Sequence, residues 1–134
     1  MIDVEGYVFT PIAEAVRAEF SGAYVTGEYV NEPARFPHVT IVESDNYMST
    51  RHLDNSDSEK FSTVMYQVDV YSNKTQGKKK ECKDILKLID SMMYARNFTR
   101  ISASPVPNLF DGSIYRLTAR YRAETDGEAF YRTI

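Results

Sequence analysis

The sequence predicts an α+β fold, in which two helices pack on one face of a mostly antiparallel sheet of about four to five strands. Two neighbouring stretches indicate this. In residues 61–71 apolar and polar residues alternate, which is the period of a half-buried strand. From Thr75 to Arg96 apolar residues recur every three or four positions, which places them on one face of a long helix. The apolar residues are Val64, Tyr66, Val68 and Val70 in the strand and Cys82, Ile85, Leu86, Ile89, Met92 and Met93 in the helix.

Length, charge and cysteine content set the broad class. At 134 residues the chain has the size of a single domain, residues 1–134, with one modest core. Its formal net charge of -3 provides no overall basic field for nucleic acid or an anionic membrane. Cys82 is the only cysteine, which excludes an intrachain disulfide and a cysteine-rich metal site. Without a signal-peptide pattern or a long apolar run, the chain is expected to be soluble and made in a cytoplasm.

The first part of the chain predicts a short helix and a strand. Thr10 followed by Pro11 is typical of a helix start, because a hydroxyl can cap the helix and the fixed φ of proline suits its first position. This helix is predicted to end near Gly22. Residues 23–31 have the β-propensity of a strand, and residues 32–37 break it because both prolines there would interrupt a ladder.

A long polar loop is predicted between the next two strands. Residues 38–43 are apolar enough for a short central strand, whereas residues 44–59 are dominated by Asp, Asn, Ser and Thr. Loops of this length are uncommon in small domains and are often functional. The strand at residues 61–71 follows this loop.

The second half predicts the long helix and a hairpin. Three consecutive lysines oppose the helix dipole, so the helix is expected to begin after Thr75. Residues 97–103 predict a strand, and residues 104–108, which contain two prolines, are predicted as an edge or a loop. After an Asp-Gly turn, residues 113–123 predict the last strand and pair with the previous one. Residues 124–134 are interpreted as a candidate docking tail outside the core.

The last strand carries a row of arginines. Alternation places Arg116, Arg120 and Arg122 on the face opposite its apolar residues. Arginine on such a face fits a wet protein-protein interface, because its planar fork pairs with carboxylates. Together with Arg100 and the lysines, these residues form either a positive surface or a solvated helix end and polar sheet face. The lysines are Lys78, Lys79 and Lys80.

Neither enzyme activity nor a cofactor is predicted. No nucleophile motif, phosphate-binding loop, dinucleotide fingerprint or zinc spacing occurs. His38 and His52 are interpreted as surface or hydrogen-bonding residues rather than as a metal pair. Cys82 lies on the apolar stripe of the helix and is predicted to be a buried, inert thiol.

The polar loop contains a small group of acidic residues. Their oxygen atoms suit calcium, but their spacing differs from that of an EF-hand loop, so a solvated loop is predicted. The acids are Asp54, Asp57 and Glu59.

Several local sequences and their order resemble a known family. A proline precedes an apolar strand (Pro-His-Val-Thr-Ile-Val-Glu, residues 37–43), and a long polar loop leads to a Val-Xaa-Val-Tyr strand at residues 68–71. A helix and a hairpin that ends in Arg-Tyr-Arg at residues 120–122 follow. Over about residues 4–125, this arrangement resembles the tail-terminator proteins of long-tailed bacteriophages, also called tail-completion or head-to-tail joining proteins.

The resemblance implies a fold, a role and partners. Proteins of that family form an α+β domain, assemble as a hexameric ring on the end of the tail tube, stop tube polymerisation and dock to the head connector. It implies a virion protein at the head-tail junction, assembled in the bacterial cytoplasm, without catalytic residues. The partners are other copies of the chain, which can be monomeric when free, the major tail tube protein and the connector. No membrane partner is implied, and DNA passes through the ring rather than being a main ligand.

A ring needs a heterologous interface, in which two different patches meet. We expect the acidic loop and the arginine row to form or flank it. The residues are Asp54, Asp57 and Glu59 in the loop and Arg116, Arg120 and Arg122 in the strand. The alternatives are a head-completion or neck protein at the same junction, a small nucleic-acid-binding domain that uses the lysines and arginines, and an enzyme centred on the loop carboxylates.

Overall fold

The chain forms two helices and one six-stranded sheet in the part that the structure describes. This structure is a computed structural model and describes residues 1–30, 32–49, 61–107 and 111–132. The elements in chain order are α1 (Glu5–Glu19), β1 (Tyr24–Thr26), β2 (His38–Met48), β3 (Ser62–Ser72), α2 (Lys78–Ala95), β4 (Thr99–Pro105), β5 (Tyr115–Thr125) and β6 (Phe130–Tyr131). The predicted α+β class and both helices are confirmed, and the sheet has six strands rather than four to five.

The sheet is mixed, with one parallel pair. Its strand order is β1-β2-β3-β5-β4, and β6 pairs with the end of β5. β1 runs parallel to β2, and the other pairs are antiparallel. β3 pairs with β5 from Ser62↔Thr125 to Ser72↔Tyr115, and with β2 on its other side. The predicted β4-β5 hairpin is confirmed, and β4 lies at an edge, as its prolines indicated.

Both helices pack on the same face of the sheet. The alternate residues Val64, Val68 and Val70 of β3 are fully buried in one cluster with residues from α1 and α2. Tyr66 is in the same row, and its ring meets that of Phe98 edge-on at 5.6 Å. Burying one such side chain stabilises the fold by about 1.5–3 kcal/mol. The strand and helix periods in the sequence therefore predicted this core correctly.

The first helix begins earlier than predicted. α1 starts at Glu5, so Thr10 is not its cap and Pro11 lies inside the helix. Proline removes a backbone donor there, but tertiary packing of an apolar stripe outweighs this local cost. The stripe repeats every four residues and is buried: Val4, Val8, Ile12 and Val16. Glu5 in the first turn also suits the positive end of the helix dipole.

The predicted loop at residues 44–59 is partly strand. β2 continues to Met48, which pairs with Ser62 of β3. A register shift between Glu43 and Asp45 accommodates the polar residues, and the Asn46 side chain donates to the Ile2 carbonyl at 2.7 Å. The loop prediction is therefore wrong for residues 44–48, because pairing with β3 overrides the polar composition. Residues 50–59 of the predicted loop lie outside the described residues.

The end of the chain packs on its own sheet. β5 continues to Thr125, and β6 follows after a turn. The Phe130 ring lies 5.3 Å from that of Phe98, and Arg132 donates to the Phe98 carbonyl at 3.1 Å. The segment interpreted as a docking tail thus contacts its own domain through residues 124–132.

Candidate functional site

The described residues do not assemble a metal cluster. No group of three or more His, Cys, Asp or Glu residues is placed to hold an ion in the described ranges. The buried His38 ring places Nε2 3.2 Å from the Thr26 hydroxyl, which confirms a hydrogen-bonding role, while His52 lies outside the described ranges. Burial, with a contribution from Glu81, raises the pKa of the Cys82 thiol to about 12, so the predicted buried thiol is confirmed.

Neither helix in the described part of the chain is long and apolar enough to cross a bilayer.

The sheet face opposite the helices carries the predicted arginine row. We call it the open face; it presents Gln67 and Asp69 of β3 beside Arg116, Arg120 and Arg122 of β5. The apolar residues between the arginines are buried against the helices, which fixes this orientation. The structure therefore places all three arginines on one face, as the alternation predicted.

Arg116 is held inside a polar network on the open face. Its Nε lies 2.9 Å from an oxygen of Asp69, a residue with 0 % exposure. The Thr118 hydroxyl donates to the same oxygen, and the Gln67 amide donates to the other oxygen at 3.0 Å. The guanidinium also lies 5.5 Å from the centre of the Tyr71 ring. Arg116 therefore neutralises a buried carboxylate of its own chain.

The other two arginines differ from Arg116 in their surroundings. Arg120 is exposed, and its Nε reaches only to 3.4 Å from the side-chain oxygen of Gln67. Arg122 is half-buried. Within the arginine row, Arg120 is the exposed arginine.

The acidic residues of the predicted interface lie outside the described ranges. They are Asp54, Asp57 and Glu59.

The β1-β2 connection covers one end of the open face. The Tyr71 hydroxyl lies 3.5 Å from the Val30 carbonyl, and Pro33 is buried. The Arg35 guanidinium lies 5.5 Å from the centre of the Tyr24 ring. The sequence indicated a break in this segment but gave no sign that it packs over the sheet.

The three lysines and the arginine row lie on opposite sides of the sheet. Lys78 begins α2 and donates to the Ser113 carbonyl at 3.1 Å, while Lys80 pairs with Asp84 at 2.7 Å. Because α2 covers the face opposite the arginines, the lysines and the arginine row do not form one positive surface.

A groove between α2 and β4-β5 was missed at the sequence level. We call it the basic groove; it has a volume of about 360 Å³, and its rim carries Lys79, Lys83, Lys87 and Arg100 together with Asp90, which pairs with Arg100 at 3.0 Å. The lysines are four residues apart and so lie along one side of the helix. The apolar part of its lining is Leu86, Ala103, Pro105, Tyr115 and Leu117. The lysine spacing was a signal in the sequence, but the contribution of β4 was not.

A second hollow lies beside α1 and β1 and is acidic. We call it the acidic end; it has a volume of about 730 Å³ and carries Asp3, Glu5 and Glu28 around Phe9. Its one basic lining residue, Arg17, donates to a backbone carbonyl at 3.1 Å. Asp3 and Glu5 are neighbours in sequence, but Glu28 is far from both, and no sequence pattern connected it to them.

Comparisons with known proteins leave the family open. No protein-family model matches the chain, and no curated protein matches it in sequence. The resemblance to tail terminators therefore stays a prediction.

Proposed function

We propose that the protein is a structural virion protein that caps the end of a phage tail tube as a ring, stops tube polymerisation and joins the tail to the head connector. The observation that carries this proposal is the resemblance in element order and local sequence over about residues 4–125. The fold supports it, because within the described residues both helices pack on one face of the sheet, and the other face carries the exposed Arg120.

In this proposal, two arginines of the open face have different roles. Arg116 neutralises Asp69 and stabilises the subunit, whereas Arg120 presents an exposed guanidinium that can pair with a carboxylate of a neighbour. The partners are other copies of the chain, the major tail tube protein and the connector. DNA passes through the ring without being bound as a main ligand.

Imaging of phage particles tests this function. Particles made without the protein are expected to show unjoined heads together with overgrown tubes or unattached tails. Supplying the wild-type chain should restore joined particles, and Arg120→Glu should restore fewer because it reverses the exposed charge. Glu14→Gln, an exposed change on α1, is the matched control and should restore as many as wild type. Normal joined particles in the absence of the protein would refute the role.

The same images separate the related alternative. A head-completion or neck protein acts on the head side of the junction, so its loss would leave unjoined heads beside tails of normal length. Overgrown tubes would instead assign the protein to the tail.

A nucleic-acid-binding domain is the second candidate. The observation that favours it is the basic groove, whose rim carries three lysines and one arginine. The arginine row lies on the other face and would not extend this surface. Titration with single- and double-stranded DNA at increasing salt tests it, and binding that falls steeply with salt would support it.

A further inference from the structure

We propose that the basic groove of one copy binds the acidic end of a second copy, so that chains associate head to tail. This inference deepens the proposed ring, because it names the two surfaces that would meet between subunits. It is derived from the charges and positions of residues in this chain.

The chain has a strong charge asymmetry between two regions. Residues 1–30 contain five acids and one arginine, a net charge of -4. Residues 74–107 contain eight basic residues and three acids, a net charge of +5. The overall charge of -3 conceals this separation. On a second copy, each region therefore finds a region whose net charge has the opposite sign and a similar magnitude.

The fold places these two regions at opposite edges of the sheet. α1 packs by β1 at one edge, while α2 packs over β3, β5 and the β4 edge. Four inter-strand steps separate β1 from β4, a distance of about 19 Å. This exceeds the Debye length of about 8 Å at physiological salt. The basic groove and the acidic end therefore lie toward opposite edges of one copy, although α1 and α2 contact each other between them.

Each region also holds like charges close together. Lys79 and Lys83 have no ion-pair partner within the described ranges, and the three groove lysines follow one another at four-residue spacing. At the other edge, Asp3 and Glu5 lie close enough to act on Glu43. Burial and then Glu5 raise the pKa of Glu43, a hydrogen bond from Asn46 opposes this rise, and Asp3 adds to it. Contact between the two regions would relieve repulsion in both.

Both regions combine charge with apolar surface. The basic groove has an apolar lining, and the acidic end surrounds the half-buried Phe9 ring. An apolar centre with a charged rim is the usual anatomy of a protein interface. A strand of the second copy could in principle pair with the exposed edge of β4. This edge is less suited to the contact, because β4 has a register shift between Arg100 and Ser102 and ends at Pro105. Side chains rather than backbone groups would therefore make the contact.

The arrangement determines the kind of assembly. The two regions are different patches of one subunit, so their contact is heterologous and leaves one free patch at each end of a pair. Such contacts produce a closed ring when the rotation between copies closes, and an open filament otherwise. A two-fold dimer would instead require both contacts at once, the groove of each copy with the acidic end of the other.

Zero-length crosslinking of purified protein tests the contact directly. A carbodiimide joins a lysine amine to a carboxylate that it already touches, and a mixture of unlabelled and heavy-nitrogen-labelled chains identifies links between copies by mass. We expect mixed-isotope links from Lys79, Lys83 or Lys87 to Asp3, Glu5 or Glu28. Links only between other surfaces, or no link between copies across the protein's soluble concentration range, would overturn the proposal.

Variants on one helix provide the matched control. Lys79→Gln combined with Lys87→Gln should reduce the yield of mixed-isotope links from Lys83 at least threefold, because it removes charge from the groove rim. Lys80→Gln removes one lysine charge of the same helix from outside the groove and should change that yield little. Equal losses in both variants would overturn the assignment to the groove. Circular dichroism should show that every variant folds, since these lysines are exposed.

The result is separable from the proposed function. Crosslinking uses purified protein alone, whereas the tail role is judged from particle images. Missing links together with overgrown tubes would refute this interface but leave the terminator role standing. If no links formed between copies and a DNA oligonucleotide bound the groove lysines instead, the groove would be assigned to nucleic acid and the proposal would fail.

Discussion

The two faces of β3 are both buried, but by different chemistry. On the helix-covered face, Val68 and Val70 pack in an apolar core, whereas on the open face Asp69 between them is equally buried as a charged group. Asp69 is tolerated because Arg116 and Thr118 on the neighbouring strand bind its oxygen. The comparison shows that a charged residue on the sheet face opposite the helices can be structural.

The same comparison divides the arginine row. Arg116 and Arg120 occupy the same face of β5, yet one neutralises a buried carboxylate and the other is exposed. The proposed contact role therefore concerns Arg120, whereas Arg116 pairs with the buried Asp69 of its own chain. Changing residues on each face in turn tests this division.

The largest effect is expected on the helix-covered face. Ile89→Ala leaves a cavity beneath α2, where the side chain is fully buried, and should lower the free energy of unfolding by about 2–5 kcal/mol. Ile101→Ala is the control, because this isoleucine is 46 % exposed on β4 and should cost less than about 0.5 kcal/mol. Urea unfolding measures both. Equal losses would mean that the core does not lie beneath α2.

A smaller effect is expected at the buried carboxylate. Asp69→Ala removes a charge-assisted network and should cost about 1.5–3 kcal/mol, toward the lower value because Arg116 has 28 % exposure and can be solvated. A double-mutant cycle with Arg116→Met measures the coupling between the two residues. A coupling energy near zero would show that Arg116 does not stabilise Asp69 and would refute the structural role of Arg116.

The open face should also respond to acid through His38. Burial lowers the pKa of this imidazole below its ordinary value of 6.5, and its Nδ1 has no hydrogen-bond partner among the described residues. The unfolded chain therefore binds the proton more readily than the folded chain does. The contribution of neutral His38 to the free energy of unfolding is present above about pH 6.5 and is lost as the pH falls below it. Urea midpoints between about pH 7.5 and pH 5.5 should decrease.

His38→Gln is the control for the acid response. In this variant the urea midpoint should change less with pH near the ordinary pKa of histidine, 6.5. An unchanged slope in this variant would assign the acid sensitivity to other groups.

The smallest effect on stability is expected at Arg120. Arg120→Ala removes an exposed side chain with one long hydrogen bond and should change the free energy of unfolding by less than about 0.5 kcal/mol. The same urea experiment measures it beside Arg116→Ala, which should cost more. If Arg120→Ala destabilised the fold as much as Arg116→Ala, the exposed arginine would be structural too.

The sequence could predict those elements whose signal is local. The two-residue period of β3 and the helical period of α2 each depend on neighbouring residues, and both predictions are confirmed. Pro11 misled the prediction of α1, because the packing of Val8 and Ile12 outweighs the local preference of proline. β2 was predicted too short, because the polar Asn46 enters the sheet only through its pairing with β3.

The candidate surfaces were harder to predict than the fold. The arginine row follows from alternation alone, but the separation of Arg116 from Arg120 depends on Asp69, which is 47 residues away from Arg116 in the chain. The basic groove requires Arg100 from β4 to meet the lysines of α2. Glu28 likewise joins Asp3 only because β1 packs beside α1. Long-range packing creates these groups.

The central claim is that unlike surfaces of identical chains join, and mixing two complementary variants tests it most directly. One variant carries Lys79→Gln, Lys83→Gln and Lys87→Gln, which neutralise the groove and leave only the acidic end charged. The other carries Asp3→Asn, Glu5→Gln and Glu28→Gln, which neutralise the acidic end and leave only the basic groove charged. Sedimentation velocity at low salt should show monomers for each variant alone and a dimer for the mixture, with the dimer lost at about 0.5 M salt. A mixture that remains monomeric while the wild-type chain self-associates would contradict the account.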